Sequence, residues 1–492
     1  MEKKNNSKQL SIMKPNIIEI NHKDQYNFDE NSIQDFFTGS IIFITGSTGF
    51  LGKALLEKLL RSCKKISIIY ILLRSKNGQT IQQRLEKLMD NLIFDRIKFE
   101  YPDCFTKVIP INGDISQVKL GLSENDYCLL FEKVNIVFHC AATVGFNEPF
   151  KTAINQNVGG TKQVIDLCLK MFNLKSFVYV STAYSNSNIF EIDEKIYPTK
   201  IKPEFILDVC KNFDDEIVNF LANKLQDKHP NTYTLTKNFA ENLINNYKDK
   251  LPIAIVRPSI ISGAVQEPFP GWVDNFIGAT GVMAQVGVGL AKSIFGEENK
   301  IVDLIPIDIV VNTLICASWN NIIQPSNKIQ VYNCVSGPFN PLRWKRCHKL
   351  TAKYAIESPS KHVVLYPGTI FTSNRLLHNI IVFFCHYVVA FMLDLLDMCQ
   401  RQKPRMLKLV KRNERMQNAY DFFKCNEFYF HGKNMKQLVE KVQITKNHMI
   451  FNIDAEKFDW DQNICNCMLG INKFLFKENT DNLKITKNYL NK

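Results

Sequence analysis

Apolar and polar residues fall in blocks along this chain. Ile41–Ile44 is an unbroken apolar run, and Ile66–Leu73 reads Ile-Ser-Ile-Ile-Tyr-Ile-Leu-Leu. Runs of this length fit strands buried on both faces, as in a parallel sheet covered by helices. Val108–Ile111, Val134–His139, Phe177–Val180 and Ile253–Val256 repeat the pattern. Between them the apolar spacing turns helical, in Lys53–Leu60, Asn157–Met171 and Thr234–Tyr247. Strand and helix in alternation predict an α/β fold built on a doubly wound parallel sheet. The first 37 residues are polar and rich in Lys and Asn, and read as a loosely ordered tail. No internal repeat is visible.

The first apolar run breaks into Thr45-Gly46-Ser47-Thr48-Gly49-Phe50-Leu51-Gly52 and passes directly into a helical pattern. Strand, Gly-x-x-Gly-x-x-Gly turn and helix together predict a dinucleotide loop in a Rossmann-type domain. Gly46 serves the tight turn, Gly49 the approach of a pyrophosphate, and Gly52 close packing of helix on strand. The helix N-terminus then offers unpaired N–H groups to the phosphates. Arg74 and Lys76 follow the second run, where no carboxylate stands. Basic residues at this strand end suit the 2′-phosphate of NADPH; an acidic one would suit NADH.

Open α/β sheets place their ligands at the carboxyl ends of the strands. Those ends read Gly113-Asp114-Ile115, suited to the adenine side, then His139-Cys140-Ala141-Ala142, then Ser181-Thr182-Ala183. Tyr233-Thr-Leu-Thr-Lys237 comes next, and residues four apart share one helical face. A lysine ammonium beside a phenol is expected to favour the phenolate, so that Tyr233 passes a proton at neutral pH. A hydroxyl from Ser181 or Thr182 would bond the same carbonyl oxygen. Tyr420 and Lys424 repeat the spacing, but without a preceding glycine loop and Ser/Thr strand end, and read as incidental. His139 reads as a packed, hydrogen-bonded histidine.

Composition narrows the class. A length of 492 residues suggests two or three domains, and 45% hydrophobic content is enough for a large core. The formal net charge is +13. No aromatic-interleaved basic motif or helix-turn-helix accompanies it, so nucleic acid is not expected as a partner. The 14 cysteines show no regular spacing and fit reduced thiols. Cys465 and Cys467 lack paired partners, so no metal site is expected.

Residues 40–260 resemble an extended short-chain dehydrogenase/reductase. Most of the chain is similar to the alcohol-forming fatty acyl-CoA reductases, especially the insect type. The likeness rests on the glycine loop, His139–Ala142, Val180-Ser-Thr-Ala-Tyr184, Tyr233–Lys237 and Arg257-Pro-Ser259. More specific are Pro270-Gly-Trp-Val-Asp-Asn275 and Asp303-Leu-Ile-Pro-Ile-Asp-Ile-Val-Val-Asn312. The resemblance implies NADPH bound at the glycine loop, with Tyr233 and Lys237 catalytic, and it favours Thr182 as the hydroxyl donor. It further implies a four-electron reduction of long-chain fatty acyl-CoA to fatty alcohol and free CoA. Thr182 and Tyr233 would stabilise the oxyanion, with no cysteine nucleophile. Acyl-CoA is a polyanion, which gives the positive charge a use. A reductase of a sterol or other apolar carbonyl, and a cofactor-binding scaffold, are the alternatives. Residues 188–230 are expected as an insertion over the acyl channel.

The proposed division is 1–37 tail, 38–345 catalytic domain and 346–492 mainly helical, membrane-associated domain. Leu376–Leu393 carries no formal charge and is near the length of a bilayer span; Arg401, Lys403, Arg405, Lys408, Lys411, Arg412 and Arg415 follow it. A cytosolic catalytic domain and a basic flank on the same side favour a shallow, monotopic insertion over a crossing. The resemblance implies membrane lipid as a partner, at the endoplasmic reticulum or peroxisome. The oligomeric state, a homo-oligomer included, stays open.

Overall fold

The computed structural model describes residues 28–478 except 77 and 227–228. Seven parallel strands form the main sheet: β1 (Ile41–Thr45), β2 (Ile68–Leu73), β3 (Val108–Asn112), β4 (Ile136–His139), β5 (Ser176–Val180), β6 (Ile253–Pro258) and β7 (Gln330–Cys334). Their order across the sheet is β7-β6-β5-β4-β1-β2-β3. The connections run one way from β1 to β3 and the other way from β4 onward. The crevice between β1 and β4 is therefore the point where such sheets take their ligands.

The first six strands lie where the apolar runs predict them; β1, β2, β4, β5 and β6 are covered on both faces, and the edge strand β3 is partly so. In β1, Ile42 and Ile44 point into the core under helices Phe50–Ser62 and Ile307–Ile323. Phe43 points to the other side, among Val164, Ile165, Leu235, Phe239 and Leu243. The strand β7 carries no apolar run. It pairs only with β6, and its edge tolerates the buried Asn333, whose amide donates to the carbonyls of Ile192 (3.2 Å) and His431 (2.8 Å). An edge strand satisfied by loops has no purely hydrophobic signature.

Two features differ from the expected division. Residues 1–27 lie outside the described residues, but the end of the expected tail is packed. Ser32 caps the single turn Ile33–Phe36, and Ile33, Phe36 and Phe37 are buried in the same core as β1. Three apolar side chains in five residues outweigh the polar average of the segment. The carboxy-terminal third also shares the core of the sheet: Met435, Leu438 and Val442 from helix Lys433–Gln443 pack there with Phe451 and Ile453.

The apolar segment is one helix, Arg375–Cys399, with a π-helical turn at Phe383–Val388. Among the described residues it alone is long and apolar enough to cross a membrane. His378, Val382, Ala390 and Asp394 are buried, while Leu376, Ile380, Phe383, Phe384, Phe391 and Leu395 are exposed. Asp394 accepts the N–H groups of Arg405, Met406 and Leu407 (2.7, 2.7 and 3.0 Å), starting helix Met406–Ala419. Tyr387 bonds Glu414 near the far end of that second helix. The two helices thus form an antiparallel hairpin.

Candidate functional site

A cavity of about 730 Å³ opens at the carboxyl ends of the strands. The loop after β1 forms its floor. Gly46 has φ +77°, and a Cβ there would sit 2.6 Å from the backbone nitrogen of Ala141. At Gly52 a Cβ would stand 2.1 Å from the carbonyl oxygen of Gly46, so the loop folds onto its own backbone. Gly49 is the N-cap of helix Phe50–Ser62 and supplies no capping side chain. Phe50, Leu51 and Gly52 line the cavity together with Thr48, Ala141 and Ala142. A positive helix end without a cap, behind a loop too tight for side chains, fits a pyrophosphate.

Not every residue of the loop faces that space. Thr45 is buried behind it, its hydroxyl bonded to His139 Nδ1 (2.7 Å) and accepting the Ala141 N–H (3.3 Å). Thr45 shapes the loop and is absent from the lining, contrary to the expected cofactor contact. Ser47 is likewise buried outside the lining. His139 also bonds Thr161 (3.1 Å), and burial, with the nearby Lys237 charge, pushes its pKa down to about 3. It is a neutral packing residue.

Beyond β2 the fold adds charges that the strand end alone does not reveal. Arg74, Lys76 and Arg84 line the cavity with Asp114 and Ile115. Asp114, from the end of β3, stands 3.1 Å from Arg74. Burial pushes its carboxyl up, but bonds from the Ser116 N–H and hydroxyl and from Arg74 outweigh this and hold it below the usual range. A carboxylate is therefore present after all, supplied across the sheet, against three cations. Arg84 arrives on the capped helix Ile81–Met89 and donates to the Arg74 carbonyl.

The sheet's far half presents the reacting groups. Ser181 and Thr182, adjacent in sequence, part company. The Ser181 hydroxyl donates to Glu241 (2.5 Å), a carboxylate that also takes Ser185 (3.1 Å) and the buried Arg257 (2.8 and 2.6 Å). The Thr182 hydroxyl instead donates to the Pro258 carbonyl (3.4 Å) and accepts the Tyr184 N–H (3.3 Å), and it lines the cavity together with Tyr233. Tyr233 stands on helix Thr232–Asn245, started by an Asn231 cap, and its ring stacks on Phe146 at 6.1 Å. Lys237, one turn on, donates to the Val180 carbonyl (2.7 Å) and Tyr179 hydroxyl (3.3 Å), with its ammonium 4.7 Å from the Tyr179 ring. Burial pushes the Lys237 pKa down to about 8 and moves that of Tyr233 up. The expected easing of Tyr233 ionisation by Lys237 is thus reversed. Desolvation opposes the phenolate and Thr182 relieves it only in part, while the Lys237 ammonium is spent on the Val180 carbonyl and the Tyr179 hydroxyl.

Comparison with known proteins agrees with this geometry. Two family models, both described as male sterility protein, match residues 44–314, an NAD-binding model, and 385–478. Fatty acyl-CoA reductase 1 of Homo sapiens is 38% identical over 461 residues, covering 94% of this chain and 89% of the relative. Fatty acyl-CoA reductase 2 of Bos taurus is 34% identical over 458 residues, covering 93% and 89%. The chain belongs to the fatty acyl-CoA reductases. Among solved structures, the terminal reductase domain of the myxalamid biosynthetic pathway has the same fold, with TM-score 0.60, 19% identity and coverage of 89% and 92%. A nonribosomal peptide synthetase reductase domain from Mycobacterium tuberculosis gives TM-score 0.58 at 17% identity, with coverage of 92% and 94%.

The reductase is thus an oxidoreductase with a nicotinamide-cofactor domain, and its cavity unites most of the residues singled out above. Its substrate wall differs from expectation. No residue of 188–230 that the structure describes lines the cavity. Helices Pro203–Asn212 and Asp215–Gln226 pack on the outer layer instead. The wall comes from Ile277–Thr280, Val282, Ile294, Trp344, Tyr420, Phe423 and Lys424. Tyr420 is therefore part of the cavity. Phe146, Tyr179 and Glu241 carry no motif of their own and emerge only from the packing.

Proposed function

We propose that this reductase converts long-chain fatty acyl-CoA to fatty alcohol and free CoA with two equivalents of NADPH. One observation carries the reading: Thr182, Tyr233 and Lys237 line the same cavity into which the glycine loop opens. Gly46, Gly49, Gly52 and the uncapped helix end would hold the pyrophosphate, and Arg74, Lys76 and Arg84 the 2′-phosphate. Three cations around one carboxylate favour the phosphorylated cofactor. Bound there, NADPH would supply hydride chemistry, one molecule for the thioester carbon and, after CoA and the spent NADP+ have left, a second molecule for the aldehyde.

The chain's own residues handle the oxygen. Thr182 and Tyr233 donate hydrogen bonds to it as negative charge develops. A buried, protonated phenol then delivers its proton to the alkoxide. Lys237 sets the local positive charge. Cys140 is the cysteine of the lining, and burial pushes its thiol up to about 12, so it is a poor nucleophile. Direct hydride attack on the thioester needs none.

Membrane attachment follows from the hairpin. A full crossing by Arg375–Cys399 would carry Lys408, Lys411, Arg412 and Arg415 of the paired helix to bilayer depth, which is costly. Lying in the cytosolic interface, the exposed apolar face enters lipid and the basic residues meet anionic headgroups. The endoplasmic reticulum and the peroxisome both offer such a face. The test of the reaction is product analysis. Membranes containing the protein, given NADPH and a panel of acyl-CoAs, are expected to release fatty alcohol and CoA with two NADPH consumed per alcohol. Formation of neither alcohol nor aldehyde overturns the assignment.

A further inference from the structure

Past Tyr233 the cavity wall is a relay of rings. Phe146, stacked on Tyr233, meets Tyr420 at 5.3 Å and Phe423 at 5.8 Å between centroids. The Tyr420 hydroxyl accepts the Gly278 N–H (3.1 Å), which ties this turn to the opposite wall. Lys424 comes next. It lines the cavity beside Ile294 and Trp344 yet is only 2% exposed. Its ammonium is 2.9 Å from Asp421, which is also held by Arg375 at 2.8 Å. Its carbonyl accepts the Glu297 N–H (3.1 Å), and its Cβ lies 2.8 Å from where Gly296 would carry one.

Tyr420 and Lys424 repeat the spacing of Tyr233 and Lys237, but they are no second catalytic pair. The Lys424 ammonium turns to Asp421, and no Ser or Thr strand end stands beside the Tyr420 phenol. A lysine in this position presents its alkyl stem to the cavity and keeps its charge in an ion pair behind the wall. Main chain and head are both anchored, so the stem cannot swing aside to admit a longer ligand. The neighbouring surfaces, Val282, Ile294, Trp344 and Phe423, are apolar and suit a hydrocarbon tail.

We propose that Lys424, clamped between Asp421 and the Glu297 backbone, is the end-stop of the acyl channel and sets the longest chain that the reductase accepts. This rests on the acyl-CoA reading above. One methylene in an apolar pocket discriminates between substrates by about 10–200-fold, so removing the stem should move the preferred length. In such a variant Asp421 keeps Arg375 on Oδ2 while Oδ1 loses its ion pair, so the carboxylate stays charge-paired on one side only.

The experiment measures kcat/KM for a ladder of saturated acyl-CoAs. In Lys424→Ala, the ratio for chains longer than the wild-type optimum should rise by at least ~10-fold. Val282→Phe adds bulk to the same space and should lower that ratio. Lys424→Met retains a stem of similar length and should shift the ratio several-fold less than Lys424→Ala. NADPH binding, titrated in each variant, reports folding apart from acyl specificity. An unchanged length profile in both Lys424→Ala and Val282→Phe overturns the proposal, as does a Met shift equal to the Ala shift. If Lys424→Ala does not fold, Val282→Phe and Lys424→Met decide. A wild-type protein that reduces no acyl-CoA of any length fails the reaction itself, a result distinct from an unshifted profile.

Discussion

At the scale of single residues, chemistry depends on what burial does to two groups. Burial keeps the Tyr233 phenol protonated beyond the range where a free tyrosine ionises, so removing its proton should stop turnover without harming cofactor binding. Tyr233→Phe is expected to titrate NADPH normally and to lose about 10²–10⁴-fold in alcohol formation; near wild-type turnover would reject the phenol as acid. Lys237 carries the opposite shift, down to about 8. Its charge is present below that pH and lost above it. The kcat/KM for NADPH reports the free enzyme, and it should fall as pH rises through about 8. Lys237→Arg keeps its charge throughout this range and should lose the limb, as read from a pH–rate profile. Arg74 tests the cofactor. Arg74→Ala should weaken NADPH by roughly 1.5–3 kcal/mol, the worth of a charged hydrogen bond, while sparing NADH. Equal losses for both nucleotides, measured by binding titration, would remove Arg74 from the 2′-phosphate.

At the scale of elements, the glycine loop shows how three like residues do unlike work. The Gly52 contact is with backbone, which cannot move aside. Gly52→Ala should therefore destabilise the protein by at least 1–3 kcal/mol, the usual cost of overpacking, and lower the melting temperature. At Gly49 the nearest atom is the Gly46 carbonyl oxygen at 3.3 Å, a tight contact but a far milder one, so Gly49→Ala should cost less stability than Gly52→Ala yet bind NADPH poorly. A calorimetric scan and a cofactor titration separate the two. The strand-end pair Ser181 and Thr182 divides in the same way. Both line the cavity, but the Ser181 hydroxyl is committed to the buried carboxylate of the Glu241–Arg257 pair, whereas Thr182 is free of that pair.

At the scale of the whole molecule, the apolar hairpin is docked on the same body that carries the sheet and the cavity. His378 bonds Ser293 (2.8 Å), and His386 accepts the Lys292 N–H (2.9 Å), which fixes the hairpin beside the Ile294 wall. A monotopic attachment leaves both termini in the cytosol. Tags at the two ends should both be digested by protease in sealed microsomes, while the protein resists extraction by high salt. A protected carboxy-terminal tag would mean a crossing, and complete release by salt would mean no insertion.

The sheet was legible in the sequence because five of its strands are buried on both faces and therefore had to be apolar runs. The glycine loop was legible because only glycine fits where backbone meets backbone. The pair Tyr233 and Lys237 was legible from its place after that loop. What the tertiary structure alone decided are relations between distant segments. Asp114 reaches Arg74 across the sheet, Arg84 joins them from a helix, and burial reverses the expected titration of Tyr233. The packed turn at Ile33–Phe37 hides within a polar segment. The acyl wall shows the same limit most plainly: 188–230 lies between Thr182 and Tyr233 in sequence, whereas Tyr420 and Lys424 lie far beyond both. Proximity along the chain favours the first, but the hydrogen bond from Gly278 and the clamp on Lys424 place the second in the cavity. Local patterns report how each element is solvated; which elements meet depends on packing that no local pattern encodes.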